Sequence, residues 1–334
     1  MSKREKLART MEMFGMTRFM EALPSRPGIL VINHHRIGLA SDSRFDRGVF
    51  SATQEQLGNQ VQSIKRRYPI VYGEELQQLL SQTKPLKRLH VAFTFDDGYL
   101  DNYQQAFPVF KAHSAGALFF LVPEYVGTAT IPWWDAIASY VRNTRAQSIT
   151  LSKPEPLTIS LNDSRENAIR QVLQHYKRKD NTDPAGFVAD IERATSCPLP
   201  EPGRRFLDWE EASEMQKSGM EVGSHTFSHR ILSQLSIEEQ ESELFRSKQQ
   251  IEQHLHQPVT SLAYPVGQLT SFTKETERLA RATGYGACFS FYGGVNQPGR
   301  LNRTNLLRTS ADPDPVMFRN EIALVASLGR SLYA

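Results

Sequence analysis

Short runs of apolar, β-branched and aromatic residues recur along the chain, and most are continuous rather than alternating. This pattern predicts strands that are buried on both faces. The predicted strands are 29–32, 91–95, 117–122, 221–224, 261–264, 287–290 and 306–309, with a possible short strand at 70–72. Amphipathic stretches predict helices at 5–23, 53–66, 73–81, 102–113, 208–219, 237–256, 274–283 and 316–327. Alternating strands and helices build a parallel sheet, and the number of units predicts closure into an α/β barrel.

Residues 127–205 interrupt this alternation. They contain three helical patterns joined by a polar link with prolines, near 135–145, 164–179 and 184–195. We interpret the stretch as a mainly helical insertion that packs over one rim of the barrel. The adjacent residues Trp133 and Trp134 lie at its start, and two interpretations are open. Their rings stack on a sugar, or they anchor the helix in the core.

The first 27 residues form a basic segment, and the catalytic body is predicted to extend over 28–334. Residues 5–23 predict one helix with apolar positions at Leu7, Met11, Phe14, Phe19, Met20 and Leu23. Such a stripe is typical of a helix that packs on the protein body, and it is also compatible with contact to a membrane surface. Charged residues interrupt the segment throughout, so neither a signal peptide nor a membrane span is predicted, and we expect a cytoplasmic protein.

Composition argues against some classes of function. The 334 residues carry a formal net charge of +3, and 22% of them are charged. This balance does not favour a nucleic-acid-binding protein, which usually has a strong basic excess. The two cysteines, Cys197 and Cys288, do not make a disulfide framework. The sequence leaves the oligomeric state open.

Polar residues with the character of metal ligands follow two of the predicted strands. Asp96 and Asp97 end one strand, and His225 and His229 follow another with the spacing H-x-x-x-H. An Asp-Asp-Gly sequence alone is also compatible with a tight turn. Two imidazoles and one carboxylate together supply the three ligands of an open catalytic metal site. The second carboxylate then remains free to act as a base.

These stretches resemble the motifs of the polysaccharide deacetylases of carbohydrate esterase family 4, the nodulation-factor and chitin deacetylase-like hydrolases. The matching pieces are Thr94–Tyr99, His225–His229 and, more loosely, Ala263–Gly267. With the elements between them they cover residues 28–125 and 205–325. The resemblance implies a distorted (β/α) barrel of about seven parallel strands, and a metal-dependent hydrolase.

The resemblance also implies roles for individual residues. Asp97, His225 and His229 would bind a divalent metal, commonly zinc, and the ligand types do not separate zinc from cobalt, nickel or iron. Asp96 would be the general base, and the backbone N–H of Val266 would stabilise the oxyanion. The side chains expected at the substrate are those of Tyr99, Tyr264 and Pro265, with Trp133 and Trp134.

The chain departs from the family pattern at two positions. Ala263 stands where the family often has an arginine that orients the base, and Arg308 is a candidate replacement, although an ordinary surface ion pair would also explain it. The last histidine is His256, so the C-terminal histidine that usually serves as general acid is missing. Some exopolysaccharide deacetylases that resemble this chain place the acid in a Tyr-His pair after an early strand. By that alignment His35 is the acid, and His34 supports the site from the tyrosine position.

The predicted function is metal-dependent hydrolysis of an N-acetyl group from a sugar or polysaccharide, in exopolysaccharide biosynthesis or modification. Hydrolysis of O-acetyl esters or of a small amide is an alternative within related chemistry, because acyl specificity depends on loops. A non-catalytic glycan-binding protein is the alternative from a different class. The missing arginine and histidine favour that alternative, whereas the intact Asp-Asp and H-x-x-x-H motifs oppose it.

Overall fold

Strands and helices alternate along most of the chain in the computed structural model, which describes residues 3–201 and 203–329. The strands are β1 (Gly28–His34), β2 (Arg36–Ile37), β3 (Phe50–Ala52), β4 (Leu89–Phe95), β5 (Leu118–Leu121), β6 (Ser148–Leu151), β7 (Leu157–Ser160), β8 (Glu221–Ser224), β9 (Ser261–Ala263), β10 (Ala287–Phe289), β11 (Val295–Asn296) and β12 (Thr309–Ser310). The helices are α1 (Lys3–Met13), α2 (Met16–Ala22), α3 (Gln54–Lys65), α4 (Gly73–Ser81), α5 (Phe107–Ala112), α6 (Trp133–Asn143), α7 (Arg165–Tyr176), α8 (Pro184–Thr195), α9 (Trp209–Lys217), α10 (Ile237–Leu255), α11 (Lys274–Ala282) and α12 (Pro315–Leu328). The predicted segment 1–27 and body 28–334 include residues outside this description, at 1–2, 202 and 330–334.

The strands of the core form one curled sheet. Its order is β10-β9-β8-β5-β4-β1-β11, and β12 also pairs with β1. The pairing is parallel throughout except between β1 and β11. Seven strands of the described chain therefore run parallel, which confirms the predicted barrel-like α/β fold.

The segment that contains β12 joins the two edges of the curled sheet. Leu306 exchanges backbone hydrogen bonds with the β10 side, through Cys288 O and Ser290 N at 2.8 Å each. A few residues later, Thr309 pairs with Ile32 of β1, and Ala311 N donates to Asn33 O at 2.9 Å. The stretch predicted as one strand at 306–309 thus closes the barrel by bonding to a different edge at each end.

Strict alternation along the strands separates the barrel interior from the surrounding helices. Ile29 and Val31 of β1 pack inside with Phe120 and Phe289, whereas Leu30 and Ile32 pack in the larger cluster with the helices. All seven residues of β1 are buried, because the sheet is covered on both faces. Side chains of the same parity as Ile29 therefore point towards the barrel axis.

The insertion after β5 contains α6, α7 and α8, as predicted, and also the hairpin of β6 and β7. The sequence predicted only a polar link there. Its apolar residues share one cluster with barrel residues such as Tyr99, Val122 and Phe206. Asp135 of α6 is fully buried, accepts a hydrogen bond from Asp46 N at 2.9 Å and pairs with Arg205. These contacts seat the insertion on the rim of the barrel.

The N-terminal segment differs from the single predicted helix. Gly15, with a backbone φ of 69°, breaks it into α1 and α2. Both helices contact α12: Thr17 donates its hydroxyl to Asn320 Oδ1 at 2.7 Å, and Arg319 pairs with Glu12 and Glu21. Among the helices of the described residues, none combines the length and the hydropathy that crossing a bilayer requires.

Smaller differences concern short elements. The predicted strand at 70–72 is reduced to a single bridge between Ile70 and Val91. The predicted helix at 102–113 begins with a π-helical turn at Asn102–Ala106. A capping box of Asp208 and Glu211 starts α9, the helix that the sequence predicts at 208–219.

Candidate active site

The polar residues that follow the parallel strands gather at the carboxyl-terminal rim of the barrel. β1 leads to His35, β4 to Asp96 and Asp97, and β8 to His225 and His229. Parallel strands place all these exits on the same side, because every strand runs in the same direction. The rim of an α/β barrel is where loops and strand ends form a reactive site.

Three of these residues place their ligand atoms close together. Nε2 of His225 and Nε2 of His229 lie 3.5 and 3.4 Å from Oδ1 of Asp97, and one ligand atom from each residue falls within 4.8 Å of the others. All three residues are buried. Nδ1 of His225 is 2.8 Å from the carbonyl oxygen of Ala263, which fixes that ring with Nε2 facing the cluster.

The donor set fits a divalent cation. Oδ1 of Asp97 is buried without a hydrogen-bond partner, which is costly for a carboxylate oxygen unless a cation meets it. Burial and the neighbouring Asp96 raise the pKa of Asp97, and burial lowers the pKa of both histidines. A bound cation favours the charged carboxylate and the neutral imidazoles, so it would satisfy all three groups at once.

Asp96 is held on the other side by a buried arginine. Arg308 NH1 and NH2 donate to its two carboxylate oxygens at 2.7 and 2.9 Å. Arg308 is 1% exposed, so the alternative of an ordinary surface ion pair is wrong. Burial alone would raise the pKa of Asp96, but the charge and hydrogen bonds of Arg308, together with the neighbouring His225 and His35, outweigh burial and hold that pKa well below its usual range. Asp96 is therefore ionised and fixed in orientation.

Asn33 is a site residue that the sequence reasoning missed. Its amide Nδ2 donates to Asp96 Oδ2 at 3.0 Å, and its Oδ1 accepts from Arg308 NH1 at 2.8 Å. Asn33 shares the parity of Ile29 and Val31, which face the barrel interior. A polar residue at that parity, at the end of an apolar strand, is the sequence signal that could have identified it.

The two neighbouring histidines after β1 point in opposite directions. Nε2 of His35 lies 3.8 Å from Asp96 Oδ2, and its side chain is 26% exposed at the rim. His34 stacks on Phe95 at 4.9 Å on the outer face, with Nε2 2.9 Å from Gln60 Oε1. Burial is the main reason that the pKa of each falls to about 4. His35 is therefore placed at the site, whereas His34 packs away from it.

Backbone strain is concentrated at the strand exits. Asp97, Thr226, His229 and Val266 have φ values of 74°, 63°, 59° and 64°. They make up four of the seven non-glycine residues with positive φ in the described chain. Left-handed backbone costs roughly 1–3 kcal/mol where a side chain opposes it, and such strain is retained mainly at functional sites. Thr226 and Val266, which are β-branched, are the least expected of the four.

Most of the side chains predicted to contact substrate are buried. Tyr99 and Tyr264 are fully buried, and their hydroxyls contact Asp135 Oδ2 at 3.1 Å and Thr304 O at 2.9 Å. Pro265 is buried as well. These three residues build the walls of the site, and their direct contact with substrate stays a prediction.

Trp133 and Trp134 have different environments, which bears on whether each stacks on a sugar or anchors the helix in the core. Trp134 is 5% exposed, its Nε1 donates to the hydroxyl of Tyr99 at 2.8 Å, and its ring lies 4.4 Å from that of His229. It anchors the helix and backs the histidine, which favours the core interpretation, and its contact with a sugar stays a prediction. Trp133 remains partly exposed and stacks on Tyr176 at 4.0 Å, 6.4 Å from the ring of His229.

Comparison with known proteins gives one family. The sequence profile of the family described as polysaccharide deacetylase matches residues 83–288. That range contains the Asp-Asp and H-x-x-x-H motifs, whereas His35 and Arg308 lie outside it.

Individual relatives are more distant. YxkH of Bacillus subtilis (strain 168), which is named for the same family, is 23% identical over 273 residues, or 82% of this chain, and the match spans 66% of YxkH. The structure of IcaB from Ammonifex degensii superposes with a TM-score of 0.59 at 20% identity, covering 91% of this chain and 99% of IcaB. The Streptococcus pyogenes deacetylase PplD, solved with acetate, gives a TM-score of 0.57 at 18% identity, covering 90% and 99%. At these identities the structures support the fold.

Proposed function

Because the chain belongs to the polysaccharide deacetylase family, we propose that it hydrolyses an N-acetyl group from a sugar or polysaccharide with the help of a divalent metal. The observation that carries the proposal is the pair of adjacent carboxylates with opposite environments. Asp97 faces His225 and His229 with an unpartnered oxygen, and Asp96 is clamped by Arg308. One carboxylate is thus suited to bind a cation and the other to accept a proton.

Asp97, His225 and His229 would hold the metal, and two imidazoles with one carboxylate are a ligand set that zinc commonly takes. A bound metal of this kind supplies an activated water and polarises the carbonyl of the acetyl group. Ligand type alone does not separate zinc from cobalt, nickel or iron.

Asp96 would take the proton from the attacking water. Arg308 and Asn33 hold both of its oxygens, so the carboxylate does not need to reorient during the reaction. Arg308 reaches Asp96 from the residue just before β12. The family's arginine would come from the end of β9, where this chain has Ala263. It thereby supplies the arginine that the third motif lacks, which weakens the argument for a non-catalytic relative.

The backbone N–H of Val266 would donate to the oxyanion that forms when water adds to the amide carbonyl. The tight Pro265-Val266-Gly267 turn is held by a hydrogen bond from Phe291 N to Gly267 O at 2.7 Å. A Cβ on Gly267 would lie 2.8 Å from Phe291 Cβ, so glycine is required for this close approach. The turn is therefore rigid, as a preorganised donor must be.

His35 would carry a proton to the departing amine. The ring is neutral at rest, because burial lowers its pKa to about 4. Its Nε2 lies 3.8 Å from Asp96 Oδ2. Once these two groups close to hydrogen-bond distance, the proton that Asp96 takes from the attacking water would pass to His35 and then to the amide nitrogen. The C–N bond then breaks to give a neutral amine and acetic acid, which loses its remaining proton to bulk water as acetate.

The substitution His35→Ala tests this assignment. We expect metal content and thermal stability to be kept, while acetate release from N-acetylglucosamine oligomers falls about 100-fold or more, the usual scale for a lost proton donor. An activated aryl acetate should be affected much less, because its leaving group departs without a proton. Equal losses on both substrates, or full activity of the variant, would place the acid elsewhere.

We propose in addition that α1 and α2 dock on an anionic membrane surface. One face of the pair packs on α12 through Ala8, Met11 and Thr17, which are buried. The other face exposes Met13 by 73% and Phe14 by 70%. The exposed large apolar side chains of this pair are Leu7, Met13, Phe14, Met16, Phe19 and Leu23, and they are more than half of such residues in the described chain. The pair therefore packs on the body and still presents an apolar surface.

Charge favours an anionic bilayer as the partner of this surface. Lys6 and Arg18 are exposed beside it. The acidic residues of the pair do not offset them, because Glu5, Glu12 and Glu21 are engaged by other arginines, Arg9, Arg319 and Arg67. An apolar face flanked by unpaired cations is the arrangement that binds the interface of anionic lipids.

A further inference from the structure

A groove of about 880 Å³ lies beside the proposed active site. One wall comes from the end of α7 and the residues after it, and carries Arg170, Lys177, Arg178 and Lys179. The opposite wall contains Gln268 and Thr270, which directly follow the Pro265-Val266-Gly267 turn. The groove is thus continuous with the loop that would stabilise the oxyanion.

The cations of this groove outnumber the carboxylates that could neutralise them. Arg178 is already paired, with Asp180 at 2.7 Å and Glu155 at 2.6 Å. Arg170 contacts the amide oxygen of Asn167 at 3.4 Å. Lys177 and Lys179 form no ion pair within residues 3–201 and 203–329. The groove therefore keeps a positive charge that an incoming ligand could meet.

Lys177 links the groove to the catalytic residues. Its Nζ lies 5.8 Å from the ring centre of Trp133, and that ring lies 6.4 Å from the ring of His229. Burial lowers the pKa of Lys177, with Asp46 acting in the opposite direction, and Lys177 is close enough to contribute to the lowered pKa of His35. Lys177 is partly exposed and forms no ion pair among the described residues, and a partly desolvated ammonium group gains more from an anion than a fully exposed one does.

From this placement we propose that the substrate carries a carboxylate or phosphate near the N-acetyl group, and that Lys177 binds this anion. The proposal rests on the proposed deacetylase function and adds a substrate class to it. The Trp133 ring, which stacks on Tyr176, lies between the Lys177 ammonium and the ring of His229 and so sets the distance between the anion and the metal ligands. A charge-assisted hydrogen bond contributes about 1.5–3 kcal/mol, which corresponds to roughly 10–100-fold in affinity.

The test compares two tetrasaccharides and one smaller probe. One tetrasaccharide is a neutral N-acetylglucosamine tetramer, and the other alternates N-acetylglucosamine with glucuronic acid. The smaller probe, N-acetylglucosamine phosphate, is compared with N-acetylglucosamine itself. We expect kcat/KM for acetate release to be at least tenfold higher for an anionic substrate, through KM, and the advantage to shrink as salt rises. The second and third probes distinguish a carboxylate from a phosphate.

Lys177→Met should bring the ratio of anionic to neutral kcat/KM towards one. Lys217→Met, which removes the same charge at the exposed end of α9, should leave the ratio unchanged.

Binding of the tetramers is measured separately by calorimetry. If no acetate is released but Lys177 is needed for tight binding of an anionic probe, the deacetylase function fails and anion recognition stands. If neutral and anionic tetramers are hydrolysed and bound alike, the substrate proposal is overturned while the function stands.

Discussion

At the scale of single residues, the site depends on the different environments of Asp96 and Asp97. Both carboxylates are buried and adjacent, so two ionised groups would repel strongly without compensation. Arg308 compensates Asp96, and the converging atoms of His225 and His229 mark the place where a cation would compensate Asp97. The assignment of base and ligand therefore follows from the neighbours of each carboxylate.

Replacing Arg308 should change the pH dependence of the reaction. In Arg308→Met the burial of Asp96 is no longer offset, so its pKa rises. Asp96 must be ionised to accept a proton, and activity is lost as pH falls through its pKa. The acidic limb of the kcat/KM profile should therefore move to higher pH in Arg308→Met. The midpoint of this limb in Arg308→Lys should lie between those of the wild type and Arg308→Met, because lysine keeps the charge and loses the bidentate contact.

A purely structural role of Arg308 would give a different result. Removing it leaves a buried carboxylate unpaired, which typically costs about 3–5 kcal/mol of stability. The double variant Arg308→Met with Asp96→Asn should recover part of that loss in thermal unfolding, because it contains no buried unpaired charge. A Met variant with lower stability and an unshifted pH profile would contradict the proposed control of Asp96.

At the scale of secondary-structure elements, the metal ligands could be predicted because each set follows one strand within a few residues. The support for Asp96 could not be assembled in this way. Asn33, Asp96 and Arg308 come from three strand segments separated by long stretches of chain, and only the closure of the barrel brings them together.

Trp133 and Trp134 are neighbours in sequence, but adjacent positions on a helix differ in direction by about 100°. One ring can thus be buried while the other reaches the rim.

The N-terminal helix pair gives a prediction at the same scale. The protein should bind vesicles that contain phosphatidylglycerol and release them as salt rises, with weak binding to neutral phosphatidylcholine. Phe14→Ser with Phe19→Ser should weaken binding at least about 100-fold, since each phenyl ring contributes roughly 1.5–3 kcal/mol when buried.

Phe245→Ser is the matched control for this measurement, because Phe245 is 56% exposed on α10. It should leave vesicle binding unchanged. Binding that is absent at low salt would refute the membrane proposal. A dimer that dissociates in the Phe14 and Phe19 variant, without vesicle binding, would identify the surface as an interface between two copies instead.

At the scale of the whole molecule, the parallel order of the strands was predictable from the strand–helix alternation. The details at the ends were not. The edge-joining role of 306–311 depends on two pairings of a short segment, which periodicity does not encode. Gly15 breaks the predicted 5–23 helix even though the apolar stripe continues across it. The β6–β7 hairpin lies in a stretch whose prolines and polar residues favoured a link.

The central claim is that one metal site and one adjacent base act together, and parallel determination of metal content and acetate release tests it most directly. The wild-type protein should hold about one divalent ion per chain and release acetate from N-acetylglucosamine oligomers. His225→Ala should lose both, Asp96→Asn should keep the metal and lose turnover, and His254→Ala on the exposed side of α10 should lose neither. Full metal content in His225→Ala, or a near-normal rate in Asp96→Asn, would contradict the account.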